Sequence, residues 1–570
     1  MTRCRKKKVA RGPARLSLLF ALLPMLSAAS GRQHFDLIIR NGHIIDGTGS
    51  PWYSADVGVR DGRIAAIGRL GDAVAKRTID AQQMIVAPGF IDMLGQSELT
   101  ILVNPHLPSK IFQGITTEIT GEGDSVAPLD DTLIRARSLQ FQHLHITADW
   151  RTFEQYFARL EKQGIGINFA SYIGAAQTRR LILGDVDVAP TPAQLNQMRA
   201  LVRAAMLQGA MGVSTALEYT PAPYATTEEL IALAAEAAKF GGIYATHLRD
   251  EGDEEMAALD EAIRIGREAD IPVEIFHLKA AGKSNFGKMP ALVAKIEAAR
   301  AAGVDISADT YAYPAWFNDL SAFIPPWAHD GGDAKLIERL RDPATRARIR
   351  KDMETPGGHW DNEWQEITGP KDILIGAVQK PELVSLQGKT LAQLSVLWKE
   401  DPLDALFDLL IKDGAFTEVA VFAVSEPDIT LALQQPWVSI DNDSPGASPD
   451  GLLGKEHPHP RAYATFPRIL RKYVREEKRF TLPEAIRKFS ALAAQRMGLV
   501  DRGVLKEGMW ADIVVFAPDQ VRDLATFENP NQLSQGMRYV LVNGVPVIDA
   551  GKATDALPGK VIRGPGYQAQ

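Results

Sequence analysis

The sequence predicts an α/β fold: a (β/α)8 TIM barrel carrying a small β-sandwich domain formed by both termini and an inserted lid subdomain. Three observations predict it. Through the middle of the chain, short apolar, β-prone runs alternate with amphipathic helical stretches. Both ends are rich in strand and hairpin signatures instead, so one domain assembled from the two termini accounts for them. One connection between barrel units is far longer than a loop requires, which marks an insertion.

Strand candidates fall at residues 84–91, 115–120, 167–174, 211–215, 243–247, 273–278, 304–309 and 437–443. Helical periodicity fills the gaps, for example over 191–207, 227–240, 254–269 and 290–302. Eight such units suffice to close a barrel. At 570 residues, 45% apolar and 23% charged, the chain is globular and too long for one small domain. The amino-terminal end carries Asn41-Gly42 and Asp61-Gly62 between apolar runs, both hairpin-turn signals. Strand-like runs at 508–516 and 537–548 answer them at the far end. The predicted boundaries are therefore 30–83 and 498–570 for the β domain, 84–497 for the barrel, and 316–375 for the lid within the barrel.

The first 29 residues read as a signal peptide. Seven basic residues and no acid precede an apolar run over 16–26, and small residues follow it, with cleavage expected after Ala29. That run is too short to anchor the chain across a bilayer. Cleavage leaves 56 basic against 70 acidic residues, net −14, which argues against nucleic acid and anionic membranes as partners. The only cysteine, Cys4, lies in the presequence, so the mature chain has no disulfide and no thiolate chemistry. A bacterial periplasmic or secreted protein is expected, its oligomeric state left open, a homo-oligomer included.

The candidate site starts from Tyr244-Ala-Thr-His-Leu-Arg-Asp-Glu-Gly252 and its echo Val273-Glu-Ile-Phe-His-Leu-Lys279. Their histidines, His247 and His277, are one strand-helix-strand unit apart, so parallel neighbouring strands carry both imidazoles to one sheet edge. Barrel active sites gather at the C-terminal strand ends. Glu122, in Gly121-Glu-Gly-Asp124, is the candidate carboxylate that completes a three-point metal site, with Asp124 the alternative. Asp443 ends the last strand and is the candidate general base, with Asp441 its rival two residues earlier. Arg461 and Lys279 are candidates to clamp a substrate carboxylate, Arg being the better fork. Asp309 is either a polar residue of the active face or a structural cap near the seventh strand, and His143-Leu-His145 reads as a structural or exposed pair.

By these residues the chain resembles the amidohydrolase superfamily, in the branch of N-acyl-D-amino-acid deacylases (D-aminoacylases). The matching pieces include Ala87-Pro-Gly-Phe-Ile-Asp92, Ala245-Thr-His-Leu-Arg-Asp-Glu251, Phe276-His-Leu-Lys279, Asp309-Thr-Tyr-Ala-Tyr313, His459-Pro-Arg461 and Gly508-Met-Trp-Ala-Asp-Ile-Val514. The resemblance implies a metal-bearing barrel, a β-sandwich and an inserted subdomain, with hydrolysis of the amide of N-acylated D-amino acids. It implies tight-metal ligands at His247 and His277, a catalytic aspartate at Asp443, and substrate contacts at Lys279, Tyr311 and Arg461.

Two departures fall at the metal. Where the family's first strand ends Asp-x-His-x-His, this chain has Asp92-Met-Leu-Gly-Gln96. Leucine cannot coordinate and a glutamine amide binds zinc poorly, so a second metal position loses its ligands. The family's bridging cysteine is replaced by the turn that carries Glu122. The expectation is one Zn2+ per chain held by Glu122, His247 and His277, a metal-activated water attacking the amide, and Asp443 moving the proton. Alternatives are another reaction on this scaffold (cyclic amide, dipeptide or other amidase) or a non-catalytic homologue.

Overall fold

The computed structural model describes residues 32–357 and 360–569. The signal peptide expected over 1–29 lies outside the described residues.

The barrel strands are Phe90–Asp92, Ile115–Thr120, a third in two pieces (Asn168–Ser171 and Ile173–Gly174), Gly212–Ala216, Ile243–His247, Val273–Ile275, Ile306–Thr310 and Val438–Ile440. They pair in parallel, in sequence order, as two sheet segments. The segments meet inside the third strand, where Tyr172 N–H donates to Thr120 O at 2.8 Å. They meet again where Met93 N–H donates to Ile440 O at 3.3 Å and Gly95 bridges Ser444. Inside, Ile91, Leu94, Ile119, Ala170, Ala245 and Phe276 form an apolar layer beneath the strand ends. The barrel floor is therefore packed side chains, not a pore. Helices between the strands start where their caps predict. Thr191 and Gln194 form a capping box ahead of Pro192–Leu207, and Thr226 accepts from Glu229 N–H ahead of Thr227–Ala238.

The β domain departs from the sequence reading in two places. The strand expected over 84–91 is two strands. Ile85–Pro88 inserts between His34–Ile44 and Ile513–Phe516 in the terminal sheet, and Phe90–Asp92 begins the barrel. One apolar run serves two sheets here, and periodicity cannot mark the break. Asn41-Gly42 is no turn: His34–Ile44 runs straight through it, and the register shift there marks a bulge with Asn41 at φ 57°. Asp61-Gly62 does form the tight turn between Tyr53–Arg60 and Arg63–Gly68. All nine terminal strands belong to one sheet. It curls until Ile64 N–H donates to Met509 O at 2.8 Å, enclosing Leu37, Ile39, Val57, Val59, Ile513 and Leu541. Asp512 and Asn543 of this domain grip barrel Asn168, whose amide donates to Asp512 at 3.3 Å.

The long connection after Tyr311 folds into an antiparallel sheet of Trp316–Asp319, Glu418–Val421 and Ile373–Ile375, with Glu418–Val421 in the middle. The insertion thus draws on residues well past 375. Among the described residues no helix is long and apolar enough to cross a membrane.

Candidate metal centre and active site

The C-terminal strand ends bring the site together. Glu122 follows Ile115–Thr120 by two residues, His247 ends Ile243–His247, His277 follows Val273–Ile275, and Asp443 follows Val438–Ile440. Gly121 and Gly123 take φ of 95° and 65°, and a Cβ on Gly121 would lie 2.7 Å from Tyr172 O, so the turn presenting Glu122 requires glycine. His277 and Asp443 hold φ of 37° and 45°. Left-handed backbone at non-glycine residues persists only where surroundings enforce it. At His277 the enforcement is Asp309, whose Oδ1 accepts the His277 N–H at 2.6 Å. At Asp443 it is Leu94 O, which accepts Asp443 N–H at 2.8 Å.

Three side chains converge. Glu122 Oε1 lies 3.0 Å from His277 Nε2 and 3.3 Å from His247 Nδ1, and the two ring nitrogens are 3.1 Å apart. A ligating atom from each lies within 4.8 Å of the others. The far nitrogen of each ring meets a carboxylate: His247 Nε2 faces Glu218 Oε2 at 2.9 Å, and His277 Nδ1 faces Glu251 Oε1 at 3.1 Å. A carboxylate–imidazole pair such as Glu218–His247 fixes the tautomer and raises the basicity of a metal-ligating histidine, while His277 Nδ1 also has the Lys279 ammonium 2.8 Å away.

The charges point the same way. Burial opposes ionisation of His247, yet Glu251, Glu122 and Glu218 outweigh it and hold the imidazole up at about 10. Burial likewise opposes ionisation of Glu122, but the two imidazoles hold its carboxyl well below the ordinary range. Protonating the rings is one way the protein alone can balance these buried acids. With neutral rings, Glu122, Glu218 and Glu251 set three negative charges against the single ammonium of Lys279, and the residue of two is what a divalent cation supplies. The donor set, one carboxylate and two imidazoles, suits zinc.

Beside this triad, Gln96 Nε2 donates to Glu122 Oε2 at 2.9 Å and to Asp443 Oδ1 at 3.1 Å. The other Asp443 oxygen lies 2.9 Å from Arg461 Nη1. Burial pushes the Asp443 carboxyl up to about 6 against the pull of Arg461. Arg461 is buried, its guanidinium stacks 4.6 Å over the Tyr311 ring, and its Nε and the Tyr311 hydroxyl have no hydrogen-bond partner.

The remaining sequence candidates sort plainly. Asp124 points away from the triad, 2.6 Å from Arg180, and so is not the acidic ligand. Asp441 packs against Asp309 and, like Arg461 and Tyr311, is not among the residues lining the cavity, which leaves Asp443 as the lining carboxylate of that strand end. Lys279 lines the cavity but does not stand free for a carboxylate, because its ammonium is 2.5 Å from Glu251 and 2.8 Å from His277 Nδ1. His143 of the His-x-His pair meets Glu456 at 3.3 Å, away from the triad. Sequence reasoning missed Glu218 and Glu251. Glu251 stands four residues after His247 within the motif already singled out, and Glu218 stands two residues after a barrel strand, so position was the available signal.

Fold and site define a (β/α)8 barrel built to hold a divalent metal at its C-terminal face. Residues 387–548 match the model of the Amidohydrolase family, and residues 24–90 that of the urease alpha-subunit, N-terminal domain. A D-aminoacylase of Alcaligenes xylosoxydans xylosoxydans is 36% identical over 542 residues, 94% of this chain and 98% of the relative. An N-acyl-D-glutamate deacylase of the same organism is 34% identical over 535 residues, 93% of this chain and 97% of the relative. The N-acyl-D-glutamate deacylase of Bordetella bronchiseptica, solved with zinc and a phosphonate mimic of the tetrahedral intermediate, superposes with TM-score 0.77 at 34% identity, over 93% of this chain and all of that one. The chain belongs to the amidohydrolase family, on its D-aminoacylase branch, as a variant without the first-strand His-x-His.

Proposed function

We propose that this protein is a single-zinc hydrolase of linear amides that deacylates N-acyl-D-amino acids. The observation that carries the reading is the Glu122–His247–His277 triad, backed by Glu218 and Glu251 and two positive charges short of balance. The named activities of relatives that span nearly the whole chain support the substrate class. When bound, a divalent ion in this triad supplies Lewis acidity, polarising a carbonyl and acidifying water.

The chain's own residues do the rest. Asp443 takes the proton released as water adds to the carbonyl, and returns it to the departing nitrogen. Gln96 holds that carboxylate toward the triad. Arg461 and Tyr311 bind the α-carboxylate, using a guanidinium and a hydroxyl that have donors to spare. Lys279 holds Glu251, which in turn orients His277. The insertion walls one side of the cavity. The Leu94 and Gln96 replacements favour one ion per chain. The amino-terminal sequence supports export to a bacterial periplasm or beyond.

The test is turnover of N-acetyl-D- and N-acetyl-L-amino acids by purified protein before and after chelation. The reading expects D-selective hydrolysis that stops on chelation and returns with zinc. Turnover indifferent to chelation would defeat it.

A further inference from the structure

The cavity over the triad, about 230 Å³, is walled on its outer side by the insertion, and that wall is acidic. Asp319 and Glu418 are direct cross-strand partners in the insertion's sheet, and both line the cavity. Like charges placed opposite one another on paired strands cost stability, so the pair calls for a reason. Glu363 lines the same cavity, 2% exposed, held by the side chains of Asn318 and Trp316 and against the carboxyl of Glu218. Glu366 also lines it, 6% exposed, and its Oε1 has no hydrogen-bond partner. Among the described residues, none of these four carboxylates has a basic side chain within 4.0 Å. Among the described residues Lys279 is the only lysine or arginine lining the cavity, and Glu251 already holds it. Burial, with the charge of neighbouring acids added to it, pushes the carboxyls of Glu363, Glu366 and Glu418 well up. Asp319 is exposed and Glu418 half-buried, whereas the buried Glu363 and Glu366 pay for their place in the wall unless a cation arrives.

We propose that the enzyme selects positively charged N-acyl amino acids, seating the cation of the substrate against Glu418, Asp319 and Glu363 while Arg461 takes the α-carboxylate. This rests on the deacylase reading and names its substrate class. An acidic side chain would meet the same wall with repulsion and no free cation to answer it. The shared chemistry is an ammonium or guanidinium, carried by the amino-acid side chain or by an amino-bearing acyl group.

The test uses the zinc-loaded enzyme and near-isosteric pairs. N-acetyl-D-arginine is compared with N-acetyl-D-citrulline and N-acetyl-D-glutamate for a side-chain cation. β-Alanyl-D-leucine is compared with N-butyryl-D-leucine for an acyl cation. The expected result is kcat/KM about tenfold or more in favour of the cation in at least one pair, with N-acetyl-D-glutamate poorest. In Glu418→Gln and Asp319→Asn the cationic-to-neutral ratio falls toward one. Calorimetric binding of D-arginine against D-citrulline reads the same preference without turnover. Turnover with no cation preference in either pair overturns this proposal and leaves the deacylase reading intact. Cation preference in binding with no turnover of any N-acyl amino acid does the reverse.

Discussion

The side-chain amide of Gln96 donates to Asp443, Nε2 to Oδ1 at 3.1 Å. The same nitrogen donates to Glu122 at 2.9 Å, so one neutral amide ties the acid of the metal triad to the carboxylate proposed to carry the proton. The two N–H groups of a primary amide suit two carboxylates, and no acceptor could stand there. A residue that sequence reading took only for a lost ligand is therefore a bridge. Gln96→Ala should lower kcat about 10–100-fold, the usual cost of removing a partner of a metal site. It should also move the acid limb of the kcat/KM profile upward, since the ionised Asp443 loses a donor. A pH profile of the variant checks both.

In the proposed mechanism Asp443 sets the pH dependence. Burial raises its carboxyl to about 6, so the basic form grows as pH rises through that value and is lost below it. The kcat/KM of the native enzyme should fall about tenfold per pH unit below the acid limb. Asp443→Asn should abolish that limb and cost about 100-fold or more in kcat at neutral pH. An unshifted limb in the variant would assign it to another group.

Glu218 and Glu251 each face the outer nitrogen of a metal-triad histidine. Glu218→Gln and Glu251→Gln should each weaken zinc binding about 10–100-fold while leaving all three ligands in place. Competition against a chelating dye reads this directly. Glu251→Gln should be the more damaging, because it also strands the buried ammonium of Lys279.

Arg461 touches both Asp443 and the Tyr311 ring. Arg461→Lys keeps the charge but loses the planar fork, so KM for a carboxylate substrate should rise about tenfold, with a smaller change in kcat. Steady-state kinetics on an N-acyl amino acid and its methyl ester separate the two effects: the ester should lose the dependence on Arg461.

Much of this was legible in the sequence, for stated physical reasons. His247 and His277 were found because a strand-helix-strand spacing forces their Cα atoms to one edge. Asp443 and Arg461 followed from strand ends and from the resemblance of short motifs. What stayed hidden depends on side-chain direction. Glu122 and Asp124 sit in one glycine turn, and only the fold shows one meeting the histidines and the other meeting Arg180. Asp441 and Asp443 share a strand end, and the left-handed backbone at Asp443 decides which faces the cavity. Ile85–Pro88 and Phe90–Asp92 read as one strand because an unbroken apolar run carries no mark of the sheet it joins. Asp319 and Glu418 stand 99 residues apart in sequence, and no local pattern announces that they pair.

The proposed chemistry needs one ion held by Glu122, His247 and His277. Anomalous scattering from crystals of the zinc-loaded enzyme, measured on both sides of the zinc absorption edge, tests it most directly. The predicted result is a single peak per chain within coordination distance of Glu122, His247 and His277. A map empty there, or a second peak lodged between Gln96 and Asp443, would contradict it.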